Sequence, residues 1–96
     1  MRILLIEDDE MQAEILLHTL TSQRYAIDHA ADGMAGLDYA ESAEYDLILM
    51  DVGLPRLDGI ELCRRLRAEN CTTPILLMTA RDAPTERIRG LDAGAD

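Results

Sequence analysis

The sequence contains no lysine. Its basic residues are 9 arginines, set against 19 Asp and Glu, for a net charge of −10. So acidic a chain repels phosphate backbones, which argues against direct binding of DNA or RNA by these residues. Cysteine is scarce. Cys63 and Cys71 form no CxxC pair and read as two reduced thiols, not as a disulfide framework or metal site. Long apolar runs are missing too. Nothing approaches the ~18 apolar residues of a membrane span. The N-terminal run Ile3 to Ile6 stops at Glu7-Asp8-Asp9-Glu10, too soon for a signal peptide. A cytoplasmic location without membrane contact is expected. There is no repeat, low-complexity tract or linker, and 96 residues allow one domain.

Apolar residues make up 48% of the chain, too many for a disordered acidic tail. The charge is uneven. Residues 1–48 carry 2 arginines against 11 acids, while residues 49–96 carry 7 against 8. A function that needs negative charge therefore belongs early in the chain, with metal cations or basic surfaces as partners.

Three short runs, Ile3 to Ile6, Leu47 to Met50 and Ile75 to Met78, lack polar alternation. They read as strands buried on both faces. The mixed segment Tyr25 to Ala30 reads as an edge strand. Helical spacing links Met11, Ile15, Leu16 and Leu20 over residues 10–23, and Met34, Leu37 and Ala40 over 33–43. It also links Ile60, Cys63 and Leu66 over 59–69, and Ile88 and Leu91 over 84–93. Asp9 with Gln12 and Asp58 with Glu61 resemble capping boxes, Asp32 caps the second helix, and Pro84 suits a first helical turn. Pro74 suits the start of a strand. The order β-α-β-α-β-α-β-α implies a parallel sheet with helices on both faces.

Ligands of such a sheet bind beyond the carboxyl ends of its strands. The first run ends in Glu7-Asp8, the third strand in Asp51 and the fourth in Thr79. Three converging carboxylates repel one another unless a cation joins them, and Mg²⁺ with oxygen ligands is the natural one. Mg²⁺ also binds phosphate oxygens, so an Asp beside it can be a nucleophile that forms an aspartyl phosphate. Asp51 stands out, because Val52-Gly53-Leu54-Pro55 separates it from the next helix and capping does not account for it. His18 and His29 read as solvated side chains, and Arg64, Arg65 and Arg67 as the solvated face of the third helix.

Three segments carry a resemblance: Leu4-Leu5-Ile6-Glu7-Asp8-Asp9, Asp46 to Pro55 with Asp58-Gly59, and Pro74-Ile75 with Met78-Thr79-Ala80. Together they resemble the receiver domain of bacterial response regulators. The closing Arg89-Gly90-Leu91-Asp92-Ala93-Gly94-Ala95-Asp96 is similar to the OmpR/PhoB-type subfamily. The resemblance implies a flavodoxin-like, doubly wound sheet of order 2-1-3-4-5, phosphorylated on Asp51 by a partner histidine kinase. It implies that Asp8 ligates Mg²⁺ directly, that Glu7 acts through water, and that the Gly53 carbonyl completes the protein ligands. Thr79 would bond a phosphoryl oxygen and act as a switch. The module would phosphorylate itself and turn over no external substrate. Arg24 stands where the family often has a glycine. The family's strand 5, with its aromatic switch residue, the lysine after it, and helix 5 have no counterpart in residues 1–96. The expected domain is therefore a receiver incomplete at its C-terminus, with order 2-1-3-4. DNA contact would fall to a further C-terminal domain, and self-association, as a homodimer or through the bared fourth strand, is expected. A pseudo-receiver is the main alternative. A haloacid dehalogenase-type phosphatase is disfavoured, because Gly53 stands where that class has a second Asp.

Overall fold

The computed structural model describes residues 1–51, 54 and 57–78. The helix expected over 84–93, with Pro84, lies outside the described residues, as do Gly53 and Thr79. The observed order is β1 (Arg2–Ile6), α1 (Glu10–Ser22), β2 (Ala26–Ala30), α2 (Gly33–Ser42), β3 (Leu47–Asp51), α3 (Gly59–Ala68) and β4 (Ile75–Met78). All strand pairs are parallel, in the order β2-β1-β3-β4. The expected strands and helices among the described residues form within one or two residues of their predicted ends.

The topology follows from handedness. The chain steps one way from β1 to β2 and the other way from β2 to β3 and from β3 to β4. Right-handed crossovers then place α1 on one face and α2 and α3 on the other. The packing agrees. Ile3, Leu5 and Leu49 meet Leu16, Leu17 and Leu20 of α1. Leu4, Ile6, Ile48 and Met50 meet Leu37 of α2 and Ile60, Cys63 and Leu66 of α3. The strands alternate between the two cores, which is why their sequences show no polar period.

Each helix starts at a side-chain cap. Asp9 Oδ1 accepts from the Met11 and Gln12 N–H at 3.0 and 3.1 Å, Asp32 from Ala35 at 2.8 Å, and Asp58 from Glu61 at 2.9 Å. Helix α2 begins with two close approaches. A Cβ on Gly33 would fall 2.0 Å from the Leu57 carbonyl oxygen, and one on Gly36 would fall 2.5 Å from Ile6 Cδ1. Helices α1 and α3 both end in Schellman motifs. Tyr25 N–H reaches Leu20 O and Arg24 N–H reaches Thr21 O. Likewise Cys71 N–H reaches Leu66 O and Asn70 N–H reaches Arg67 O. The left-handed residues are Arg24, with φ 66°, and Asn70, with φ 64°.

Two sequence expectations fail locally. Met11 and Ile15 do not join the core: they are 73% and 62% exposed, and α1 packs through Ala13, Leu16, Leu17 and Leu20 instead. Both faces of α1 carry apolar residues, so periodicity alone mixed two stripes: Leu16 and Leu20 pack as expected, and Met11 and Ile15 do not. Arg67 is not part of a solvated face. Its Nη1 donates to the carbonyls of Cys71 and Thr73, at 2.7 and 2.8 Å, and pins the turn into β4. Arg64 and Arg65 are exposed, as expected, beside Glu61. Both cysteines are free. Leu76, on the last strand of the described sheet, is 51% exposed.

The amino ends of the strands are closed by a polar cluster. Tyr45 Oη donates to Asp28 at 2.6 Å, Arg2 Nη2 donates to the same oxygen at 2.9 Å, and the Arg2 guanidinium lies 5.1 Å from the Tyr45 ring centroid. The Tyr45 hydroxyl and then Arg2 hold the Asp28 carboxyl below its ordinary range. Burial and the Asp28 charge push the Tyr45 phenol up to about 12.

Candidate functional site

The chain reverses direction between β1 and β3, so α1 and α2 diverge to opposite faces. A crevice opens beyond the carboxyl ends of those two strands. Strand register supplies its lining. Ile6 pairs with Met50, so Glu7 and Asp51, each one residue further on, stand level at neighbouring strand ends. Asp51 is in turn level with Met78 of β4. Pleating turns Glu7 and Asp51 away from the face that holds Ile6 and Met50, and Asp8 follows in the exit turn.

The sequence therefore brings its three predicted acids together. One carboxylate oxygen from each of Glu7, Asp8 and Asp51 lies within 4.8 Å of the other two. Glu7 is only 2% exposed, Asp51 is half-buried and Asp8 is exposed. Burial pushes the Glu7 carboxyl above its ordinary value. Repulsion from Asp51, Asp8 and Asp9 adds to the rise, while the Asp9 N–H, 3.1 Å from Glu7 Oε1, pulls against it. Among the described residues no cationic side chain pairs with Glu7. A buried carboxylate held against two others is a poor arrangement by itself and a good one around a hard divalent cation. The donor set is all oxygen and its open side admits water, which suits Mg²⁺.

Asp9 is the cap of α1, as expected. His18 is exposed, also as expected. His29 corrects the sequence reading. It is half-buried, and its Nε2 donates to the main-chain oxygen of Glu7 at 2.9 Å. The missed signal was register. His29 lies level with Leu5, two residues before Glu7 and on the same face of the sheet, so its ring reaches the end of β1.

Comparisons with known proteins agree with this geometry. Residues 3–96 match the response regulator receiver domain family. The chain is 51% identical over 96 residues to protein RcaC of Microchaete diplosiphon, covering all of this chain and 15% of that protein. It is 47% identical over 96 residues to response regulator MprA of Mycobacterium avium, covering all of this chain and 42% of that one. The chain thus spans less than half the length of these curated relatives. A solved receiver domain, from the sensor histidine kinase PA1611 of Pseudomonas aeruginosa PAO1, is 38% identical. It superposes with a TM-score of 0.91 over 99% of this chain and 80% of that one, and it has a magnesium ion coordinated in its active-site cleft. The sheet order, the acidic crevice and these matches lead to one conclusion: the chain belongs to the response regulator receiver domain family, with its flavodoxin-like fold.

Proposed function

We propose that this chain is a Mg²⁺-dependent phosphoacceptor whose acceptor is Asp51. The observation that carries the reading is the meeting of three carboxylates at adjacent strand ends, one of them buried. An Asp51 oxygen attacks the phosphorus of a phosphohistidine on a partner kinase. The O–P bond forms as the P–N bond breaks, and the imidazole leaves and takes up a proton. Glu7 and Asp8 hold the cation together with Asp51, and the Gly53 carbonyl is assigned as a further ligand. When bound, Mg²⁺ neutralises charge on the phosphoryl oxygens during transfer. Thr79 is assigned to a phosphoryl oxygen and to the switch. The domain acts on itself and turns over no external substrate.

The partner reading is a sensor histidine kinase met in the cytoplasm. The exposed Met11 and Ile15 on α1 offer it an apolar surface, because α1 starts directly after the acidic turn. No helix among the described residues is long and apolar enough to cross a membrane. Contact with DNA is assigned to a separate domain, and self-association to β4. Calorimetric titration with Mg²⁺ tests the cation site. Binding is expected in the wild type and is expected to weaken in Asp51→Asn, whereas equal binding by the two proteins contradicts the assignment.

A further inference from the structure

Three polar atoms of Glu7 are engaged. Its N–H donates to Ala30 O of β2 at 3.0 Å. Its Oε1 accepts the Asp9 N–H at 3.1 Å. Its carbonyl oxygen accepts from His29 Nε2 at 2.9 Å. The first two partners are main-chain groups, which almost any residue supplies. The third depends on one side chain. A carbonyl oxygen only accepts, so Nε2 must carry a proton, and it does so in the neutral Nε2–H tautomer and in the charged ring alike. The contact therefore does not require the ring to be charged. The Glu7 carbonyl shares a rigid peptide plane with the Asp8 N–H. Fixing that plane fixes the direction in which Asp8 leaves the strand.

We propose that His29 is a positioning residue for the acidic site. It locks the Glu7–Asp8 peptide so that both carboxylates are held toward Asp51, and it thereby raises affinity for the divalent cation. The proposal rests on the cation-dependent reading above. His29 touches neither cation nor phosphoryl group and acts through the carbonyl of Glu7. Partners one step removed from a metal commonly change its affinity by about 10- to 100-fold.

Two measurements on the 96-residue chain test this. The first needs no metal. Nitrogen NMR of the His29 ring should show the neutral form as the Nε2–H tautomer with a slowly exchanging proton. An Nδ1–H tautomer, or rapid averaging between the two, overturns the proposal. The second is Mg²⁺ titration of wild type, His29→Gln and His29→Leu, with circular dichroism melts alongside. Gln keeps an N–H donor at similar reach and should retain most of the affinity, whereas Leu should lose about tenfold. Unchanged binding by His29→Leu overturns the proposal, and so does an equal loss in both variants. If His29→Leu does not fold, the ring tautomer and the Gln variant still decide. Absent binding by the wild type removes the phosphoacceptor reading itself, whereas wild-type binding that ignores His29 removes only this inference.

Discussion

Replacing Glu7 by glutamine separates what the acidic site costs from what it does. Glu7 Oε is within 4.8 Å of carboxylate oxygens of Asp51 and Asp8. At that distance two unit charges repel by about 3 kcal/mol at an effective dielectric of ~20 and by about 1 kcal/mol in bulk water. Asp8 is exposed, so its share lies near the lower figure. Gln keeps the carbonyl that accepts the Asp9 N–H and removes both repulsions. It also removes the burial of a charge. Glu7→Gln is therefore expected to stabilise the metal-free protein by about 1–3 kcal/mol, which for a domain of this size is a rise in Tm on the order of 5–15 °C. The assay is a pair of thermal melts at neutral pH in chelator. Mg²⁺ should then close the gap. At about ten times Kd it adds roughly 1.4 kcal/mol to the wild type and less to the variant, which binds it more weakly. A Glu7→Gln protein that melts at or below the wild type in chelator refutes the reasoning, because Glu7 would then not be held against its neighbours.

Arg24→Gly should raise Tm by a few degrees. Relief of the left-handed backbone is worth about 1–2 kcal/mol, and the extra freedom of unfolded glycine returns about 0.5–1 of it. Arg24→Ala keeps the Cβ and should gain nothing, and Asn70→Gly should change little, so equal gains from Ala and Gly would assign the effect to charge instead. Tyr45 stays protonated to about 12, above the ordinary value of 10.0. The stability it confers is fully present below about 10 and is lost as pH rises from there toward 12. Alkaline melts should show that loss shrinking in Tyr45→Phe, and an unchanged profile would show that the Tyr45–Asp28 contact is not its source. The proposed self-association through β4, where Leu76 is 51% exposed, should appear in light scattering of the wild type and fall in Leu76→Arg, and a monomeric wild type or unchanged scattering would contradict it.

The sequence carried the acidic site plainly because parallel strands align their ends. Glu7, Asp8 and Asp51 each follow an apolar run, and once β1 and β3 pair, the register does the rest. The three aspartate caps were equally readable, since capping is a local interaction. Helix α1 was not. Its two apolar stripes compete, and only the sheet beneath decides that Leu16, Leu17 and Leu20 go inward while Met11 and Ile15 stay out. His29 and Arg67 were misread for a related reason. Each bonds a main-chain carbonyl, of Glu7 or of Cys71 and Thr73, and such acceptors leave no mark in the pattern of side chains. The strain at Arg24 was half visible: the position invited a glycine, and the backbone shows why.

The most direct test of the central claim is to locate a phosphoryl group. The chain is incubated with acetyl phosphate and Mg²⁺, digested and mapped by mass spectrometry, with Asp51→Asn and a chelator-treated sample alongside. The account predicts slow labelling at a single residue, Asp51, that disappears in the variant and in chelator. Labelling that persists in Asp51→Asn, or that does not depend on Mg²⁺, would contradict it.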